Sequence, residues 1–148
     1  MYEILARLNK VEARSDGYGI DHDMWIRVNI VDGETTTTLT IHNPCPIPLE
    51  RYRQLIQVPA NQRVALYKAL IIEFWNTGVV VPQSPSSPTN LSNLTQLDVW
   101  ADAVEAFNTQ KASDIADCAT LAGQARTWIE SLPGFTSWEA GFDFTLQT

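Results

Sequence analysis

Alternating apolar and polar residues predict a β-hairpin near the start of the chain. Residues 25–41, WIRVNIVDGETTTTLTI, contain two runs of β-branched residues on either side of Asp32-Gly33. This dipeptide readily adopts the positive φ angles of a tight turn, so we predict a hairpin over residues 24–42 with Asp32-Gly33 as its two-residue loop. The predicted apolar face of the hairpin comprises Met24, Ile26, Val28, Ile30, Thr35, Thr37, Leu39 and Ile41. We expect Val28 and Leu39 to be buried and Arg27 and Thr38 to be exposed.

Two further segments have patterns compatible with strands. Residues 2–13 fit either a helix or a strand, and we favour a strand because a third strand stabilises a hairpin that is marginal alone. At the other end of the chain, apolar residues alternate with polar ones over Phe142, Phe144 and Leu146. This alternation predicts a C-terminal strand.

Helical periodicity begins where prolines end the hairpin. Apolar stripes over residues 48–57 and 60–76 predict two helices that can cover the apolar face of the hairpin. Residues 79–93 are rich in proline and serine, and they predict a linker. Beyond the linker, one stripe ends at Phe107 and another runs from Lys111 to Leu132, which predicts a pair of helices.

These elements predict an α+β fold. A small antiparallel β-meander, which includes the hairpin 24–42, is packed by helices and is followed by a linker, a helical pair and a C-terminal strand. We divide the chain into residues 1–78, the linker 79–93 and an acidic helical segment, 94–148. We expect one structural unit overall, because 148 residues suit a single hydrophobic core.

The charge is uneven and excludes some partners. The net charge is −7, and residues 1–78 carry eight Lys and Arg against nine Asp and Glu, whereas the remaining residues carry two against eight. Such an acidic half repels phosphate, so we expect no direct nucleic-acid binding. The apolar runs are far shorter than the ~20 residues that span a bilayer, and we expect no membrane partner. Without a leader-like segment, Cys45 and Cys118 are expected to be free thiols.

The residues most suggestive of chemistry lie at the open end of the hairpin. In the predicted register His42 pairs with Asp23, which brings His22, His42 and Asp23 near one another. Such a set would suit zinc or another divalent metal, so a small metal-binding protein or metal-dependent enzyme is one alternative function. The spacing matches no known metal motif and no third group orients a catalytic pair. We therefore expect no catalytic residues, no enzymatic activity and no cofactor.

The function that the sequence favours is a non-enzymatic structural or assembly protein. Few lysines and five tryptophans suit extensive subunit contacts. We expect a homo-oligomer or a larger viral assembly, such as a bacteriophage capsid, neck or tail, with the protein made in the host cytoplasm; outside a virion we expect it to be cytoplasmic. An acidic binding or inhibitor module is a second alternative. The candidate interface residues are Phe142, Phe144, Leu146, Trp138, Thr36 and Thr38.

Overall fold

The strands form one antiparallel sheet. The computed structural model of the protein describes residues 2–147. The strands are β1 (Tyr2–Ala13), β2 (Gly19–Asp32), β3 (Thr35–Pro48) and β4 (Phe142–Gln147). Their order across the sheet is β3-β2-β1-β4, and each pairs antiparallel with its neighbour. The predicted three-stranded meander is therefore confirmed, and residues 2–13 belong to it as a strand.

Three helices complete the α+β fold, as predicted. They are α1 (Leu49–Gln57), α2 (Ala60–Phe74) and α3 (Leu94–Glu130). Both α1 and α2 begin directly after prolines that adopt extended backbone angles, and both lie where helical stripes predicted them. The three helices pack on one face of the sheet. The core between the layers includes Leu8, Ile20, Met24, Ile47, Tyr52, Leu55, Tyr67, Ile71 and Ile129.

The predicted helical pair is instead a single helix, α3, of 37 residues. Residues 108–110, between the two predicted stripes, are Asn, Thr and Gln and include no glycine or proline, so nothing interrupts the backbone hydrogen bonds. Asn93 caps the start of α3 by accepting a hydrogen bond from the backbone N–H of Gln96. The second half packs on the sheet through buried residues three or four apart, namely Cys118, Ala122, Ala125 and Ile129.

The hairpin turn lies one residue later than predicted. Asp32 pairs with Thr35, so the loop residues are Gly33 and Glu34. Gly33 has φ +63°, and the only described non-glycine residue with positive φ is Asn76, so Glu34 has an ordinary backbone conformation. Positive φ at the first loop residue alone is the pattern of a type II′ turn. Because of this shift, each residue of β3 pairs with the β2 residue two positions later than predicted. Side chains alternate between the faces with a period of two, so the predicted faces are unchanged.

The helices cover only part of the sheet's apolar face. We expected Leu39 to be buried, but it is 51% exposed, and its partner Val28 is only half-buried. The reason is the position of α1, which follows Pro48 at once and therefore lies over the end of the hairpin away from the turn. The turn end extends beyond the helices.

The segment between α2 and α3 contains no regular helix or strand over residues 79–93. It lies partly against the first half of α3, where the indole N–H of Trp100 donates a hydrogen bond to the carbonyl of Pro85 at 3.0 Å. None of the helices within residues 2–147 combines the length and the hydropathy that a membrane span requires.

Candidate functional site

His22 lies inside the hydrophobic core. It is 1% exposed, on the face of β2 that the helices cover. Its Nδ1 lies 3.1 Å from the carbonyl oxygen of Cys45, and its Nε2 lies 3.5 Å from the hydroxyl of Tyr52. A protonated Nδ1 can donate to the carbonyl and leave Nε2 to accept from the tyrosine. Burial lowers the pKa of His22 to about 4, so the ring is neutral at pH 7.

His42 and Asp23 lie on the opposite face of the sheet. The Nε2 of His42 is hydrogen-bonded to the Asp23 carboxylate, and the imidazole stacks on Trp25 with ring centroids 4.4 Å apart. Register explains this arrangement, because Trp25 is the residue directly opposite His42 and Asp23 is two positions along β2.

The structure therefore divides the predicted metal-ligand set. Successive side chains of a strand point to opposite faces, so His22 points into the core while Asp23 points away from it. His42 joins Asp23 and not His22. Across residues 2–147, no three His, Cys, Asp or Glu side chains are close enough to hold one metal ion.

Both cysteines are free, as predicted, and both are buried. Burial raises the pKa of Cys45 to about 12 and that of Cys118 to about 11. Each thiol is therefore protonated at neutral pH and unreactive as a nucleophile.

The uncovered face of the sheet carries a cluster of charged side chains. Asp143 on β4 accepts hydrogen bonds from Arg7 at 2.9 Å and from Arg27 at 3.4 Å. The hydrogen bond from Arg7 lowers the pKa of Asp143, which remains ionised at neutral pH. This cluster joins β4 to β1 and β2. Beside it lies an open groove of about 390 Å³, lined by Arg7, Asn9, Trp25, Arg27, Thr40, Glu139 and Ala140.

The apolar candidate interface residues contribute to the chain's own core. Phe144 is 3% exposed and stacks on Tyr67 at 5.4 Å between ring centroids. Phe142, Leu146 and Trp138 are partly buried against the same core. Phe142 and Leu146 are held there because β4 pairs with β1 of the same chain, whereas the indole N–H of Trp138 donates a hydrogen bond to Glu130 at 2.8 Å. Phe144 is thus unavailable to a neighbouring molecule.

The two threonine candidates, unlike the apolar ones, lie at the surface of the chain. Thr36 and Thr38 are exposed on β3, on the face away from the helices. The hydroxyl of Thr38 donates a hydrogen bond to the side-chain oxygen of Asn29 at 2.9 Å. Both threonines remain at the surface of the hairpin.

Sequence reasoning missed an exposed apolar surface at the turn end of the hairpin. Ile30, Leu39 and Ile41 are 42%, 51% and 43% exposed, although they lie on the same face as the core. We call these three residues, together with half-buried Val28, the hairpin patch. Alternation along the strands identifies this face but carries no information about where the helices stop covering it.

Comparison of the chain with protein-family models, with curated proteins and with solved structures gave no match. Functional inference therefore depends on the chain's own surfaces. Among these surfaces, the hairpin patch exposes several aliphatic side chains on the core-facing side of the sheet, which folding normally buries.

Proposed function

We propose that the protein is a non-enzymatic structural subunit that assembles with copies of itself through the hairpin patch. The observation that carries this proposal is the exposure of three neighbouring aliphatic side chains, Ile30, Leu39 and Ile41, on the core-facing side of the sheet. Full burial of one such side chain contributes roughly 1.5–3 kcal/mol. A neighbouring subunit that covers the patch therefore stabilises both molecules.

The charge distribution supports self-association at this surface. Two copies, each with a net charge of −7, repel one another over most of their surfaces. Residues 35–43, TTTTLTIHN, contain no Asp, Glu, Lys or Arg. The strand beside the patch can therefore approach its counterpart without opposing like charges.

A second exposed apolar surface supports an assembly of more than two copies. Val99, in the first half of α3, is 65% exposed and borders an open groove that Pro85, Pro88 and Trp100 also line. A subunit with two separate apolar surfaces can contact two different neighbours. A particle built from many copies, such as a bacteriophage capsid, neck or tail, is the kind of assembly that we propose.

Sedimentation velocity over a wide range of protein concentration tests the proposal. We expect the wild-type protein to self-associate and the variant Leu39→Thr/Ile41→Thr to shift towards monomer, since it keeps the strand propensity but removes apolar area. The matched control, Thr36→Ser/Thr40→Ser, changes the opposite face of the same strand and should associate like the wild type. A wild-type protein that stays monomeric at every concentration would contradict the proposal.

A further inference from the structure

The prolines of β3 reveal which of its backbone groups point away from the sheet. Pro44 pairs with Asp23 and Pro46 pairs with Asp21, yet proline has no N–H to donate. These pairs are therefore the non-hydrogen-bonded pairs of the ladder, in which backbone groups point away from the partner strand. The carbonyl of Pro44 accepts a hydrogen bond at 2.9 Å from the backbone N–H of Asn76, which lies outside the sheet. This contact confirms that the carbonyl of Pro44 points away from β2.

The same alternation continues to the turn, because the pairing of β2 with β3 has no bulge. Thr36, Thr38, Thr40 and His42 therefore each present one N–H and one C=O to the outside of β3. In the described sheet β3 is an edge strand, so these groups face no further strand.

The two halves of this edge differ in how they are protected. Natural edge strands avoid unwanted pairing through prolines, charged residues or bulges. Residues 44–48 include three prolines, whereas residues 35–43 have no proline, no Lys and no acidic residue. The stretch that is open to pairing is therefore the one beside the hairpin patch.

From these observations, and resting on the proposed self-assembly, we propose that two copies pair β3 with β3 in antiparallel orientation about a twofold axis at Leu39. In this register Thr38 lies opposite Thr40 of the second copy, and Thr36 lies opposite His42 of the second copy. All four outward-facing residues then form hydrogen-bonded pairs, and a two-copy sheet of eight strands results.

The side chains of this arrangement match on both faces. Leu39 meets Leu39 of the second copy as a non-hydrogen-bonded pair, in which opposite side chains are closest. The two hairpin patches then lie side by side, each Leu39 side chain covers part of the other, and the remainder of the joined apolar surface is open to a further copy in a larger assembly. On the other face Thr38 lies opposite Thr40 of the second copy, which is a favourable cross-strand pair. The other sheet edge, β4, is only six residues long and carries Asp143, so it matches the open stretch of β3 less well.

Disulfide cross-linking tests the register. We expect Leu39→Cys to form a covalent dimer on mild oxidation, because the two introduced thiols face each other across the axis. The native thiols of Cys45 and Cys118 are buried and serve as an internal control in the wild type. Thr37→Cys and Ile41→Cys should each cross-link poorly alone, but the double variant should cross-link well, since Thr37 lies opposite Ile41 of the second copy.

A proline variant tests the backbone pairing itself. Thr40→Pro removes an outward N–H, as the native prolines do, and should weaken the dimer about tenfold or more with an unchanged circular dichroism spectrum. Thr40→Val keeps the N–H and should dimerise like the wild type.

The outcomes separate the strand pairing from self-assembly in general. Self-association without cross-linking at Leu39, and with no effect of Thr40→Pro, would overturn the strand pairing and leave the proposed function standing. A monomeric wild type would overturn both. Should Thr40→Pro fail to fold, cross-linking at Leu39 still decides the register.

Discussion

The two ends of the β2–β3 hairpin follow the same sequence pattern but have different surroundings. At the inner end, residues 19–26 and 43–48, the apolar side chains of Ile20 and Ile47 are fully buried. At the outer end, residues 27–42, equivalent side chains such as Leu39 are about half exposed. The strands, the face and the alternation are the same at both ends. The difference shows that alternation defines an apolar face, while the helices that follow in the chain decide how much of that face is covered.

The outer edge of β3 changes at nearly the same position. At the inner end, prolines remove outward N–H groups, and the carbonyl of Pro44 already accepts a hydrogen bond from the backbone N–H of Asn76. At the outer end, the threonines retain both groups. Exposed apolar side chains and open backbone groups therefore coincide along the same stretch of strand, which is the combination expected of a strand that pairs with another molecule.

The largest expected effect comes from truncating the same residue type at the two ends. Ile47→Ala should lower the free energy of unfolding by about 2–5 kcal/mol, because it leaves a cavity in the core. Ile41→Ala, on the same face of the same strand, should cost less than about 1 kcal/mol, because its side chain is already 43% exposed. Urea denaturation, at a protein concentration that keeps both variants monomeric, measures the two free energies of unfolding. Equal losses would show that the outer end is covered within a single chain.

The second prediction concerns the histidine at the inner end and the pH dependence of stability. His22 has a pKa of about 4 in the folded protein and about 6.5 when exposed. Between these two pKa values the unfolded chain binds more protons than the folded protein. The contribution of His22 to the free energy of unfolding is therefore fully present above about pH 6.5, and it is lost as the pH decreases towards 4. The total loss from this group is about 3 kcal/mol.

Urea denaturation of the wild type and of His22→Gln across this pH range measures the effect. The variant lacks the titrating ring, so its stability should vary less between pH 6.5 and 4, whatever its stability at pH 7. The prediction fails if both proteins show the same slope with pH.

The smallest of the three effects concerns the turn at the outer end. Gly33 has φ +63°, and an alanine there should cost about 1–2 kcal/mol because its Cβ approaches the following carbonyl. Nothing lies within 4 Å of a Cβ at this position, so the cost reflects backbone conformation and not a clash with other residues. Glu34→Ala is the matched control and should change stability by less than about 0.5 kcal/mol. Thermal unfolding of the two variants measures this cost. A third variant, Asp32→Ala, distinguishes a turn at Gly33-Glu34 from one at Asp32-Gly33, because only in the second would residue 32 require positive φ; we expect it to change stability by less than about 0.5 kcal/mol.

Local patterns in the sequence determined most of the secondary structure. The alternation over residues 24–42 established which side chains share a face of the hairpin, and the stripes over 48–57 and 60–76 located α1 and α2 closely. The alternation of Phe142, Phe144 and Leu146 identified β4. Each of these signals arises from neighbours along the chain, whose spacing matches the period of a strand or a helix.

The tertiary structure decided which of these elements meet. Pairing of β4 with β1 turned Phe144 from a candidate interface residue into a core residue, and the opposite faces of β2 separated His22 from His42. The one-residue shift of the turn made Trp25 the partner of His42. Leu39 remained exposed because no helix reaches the turn end. These outcomes depend on contacts between segments that are distant in the sequence, and the free energy of such contacts is absent from the local periodicity of either segment.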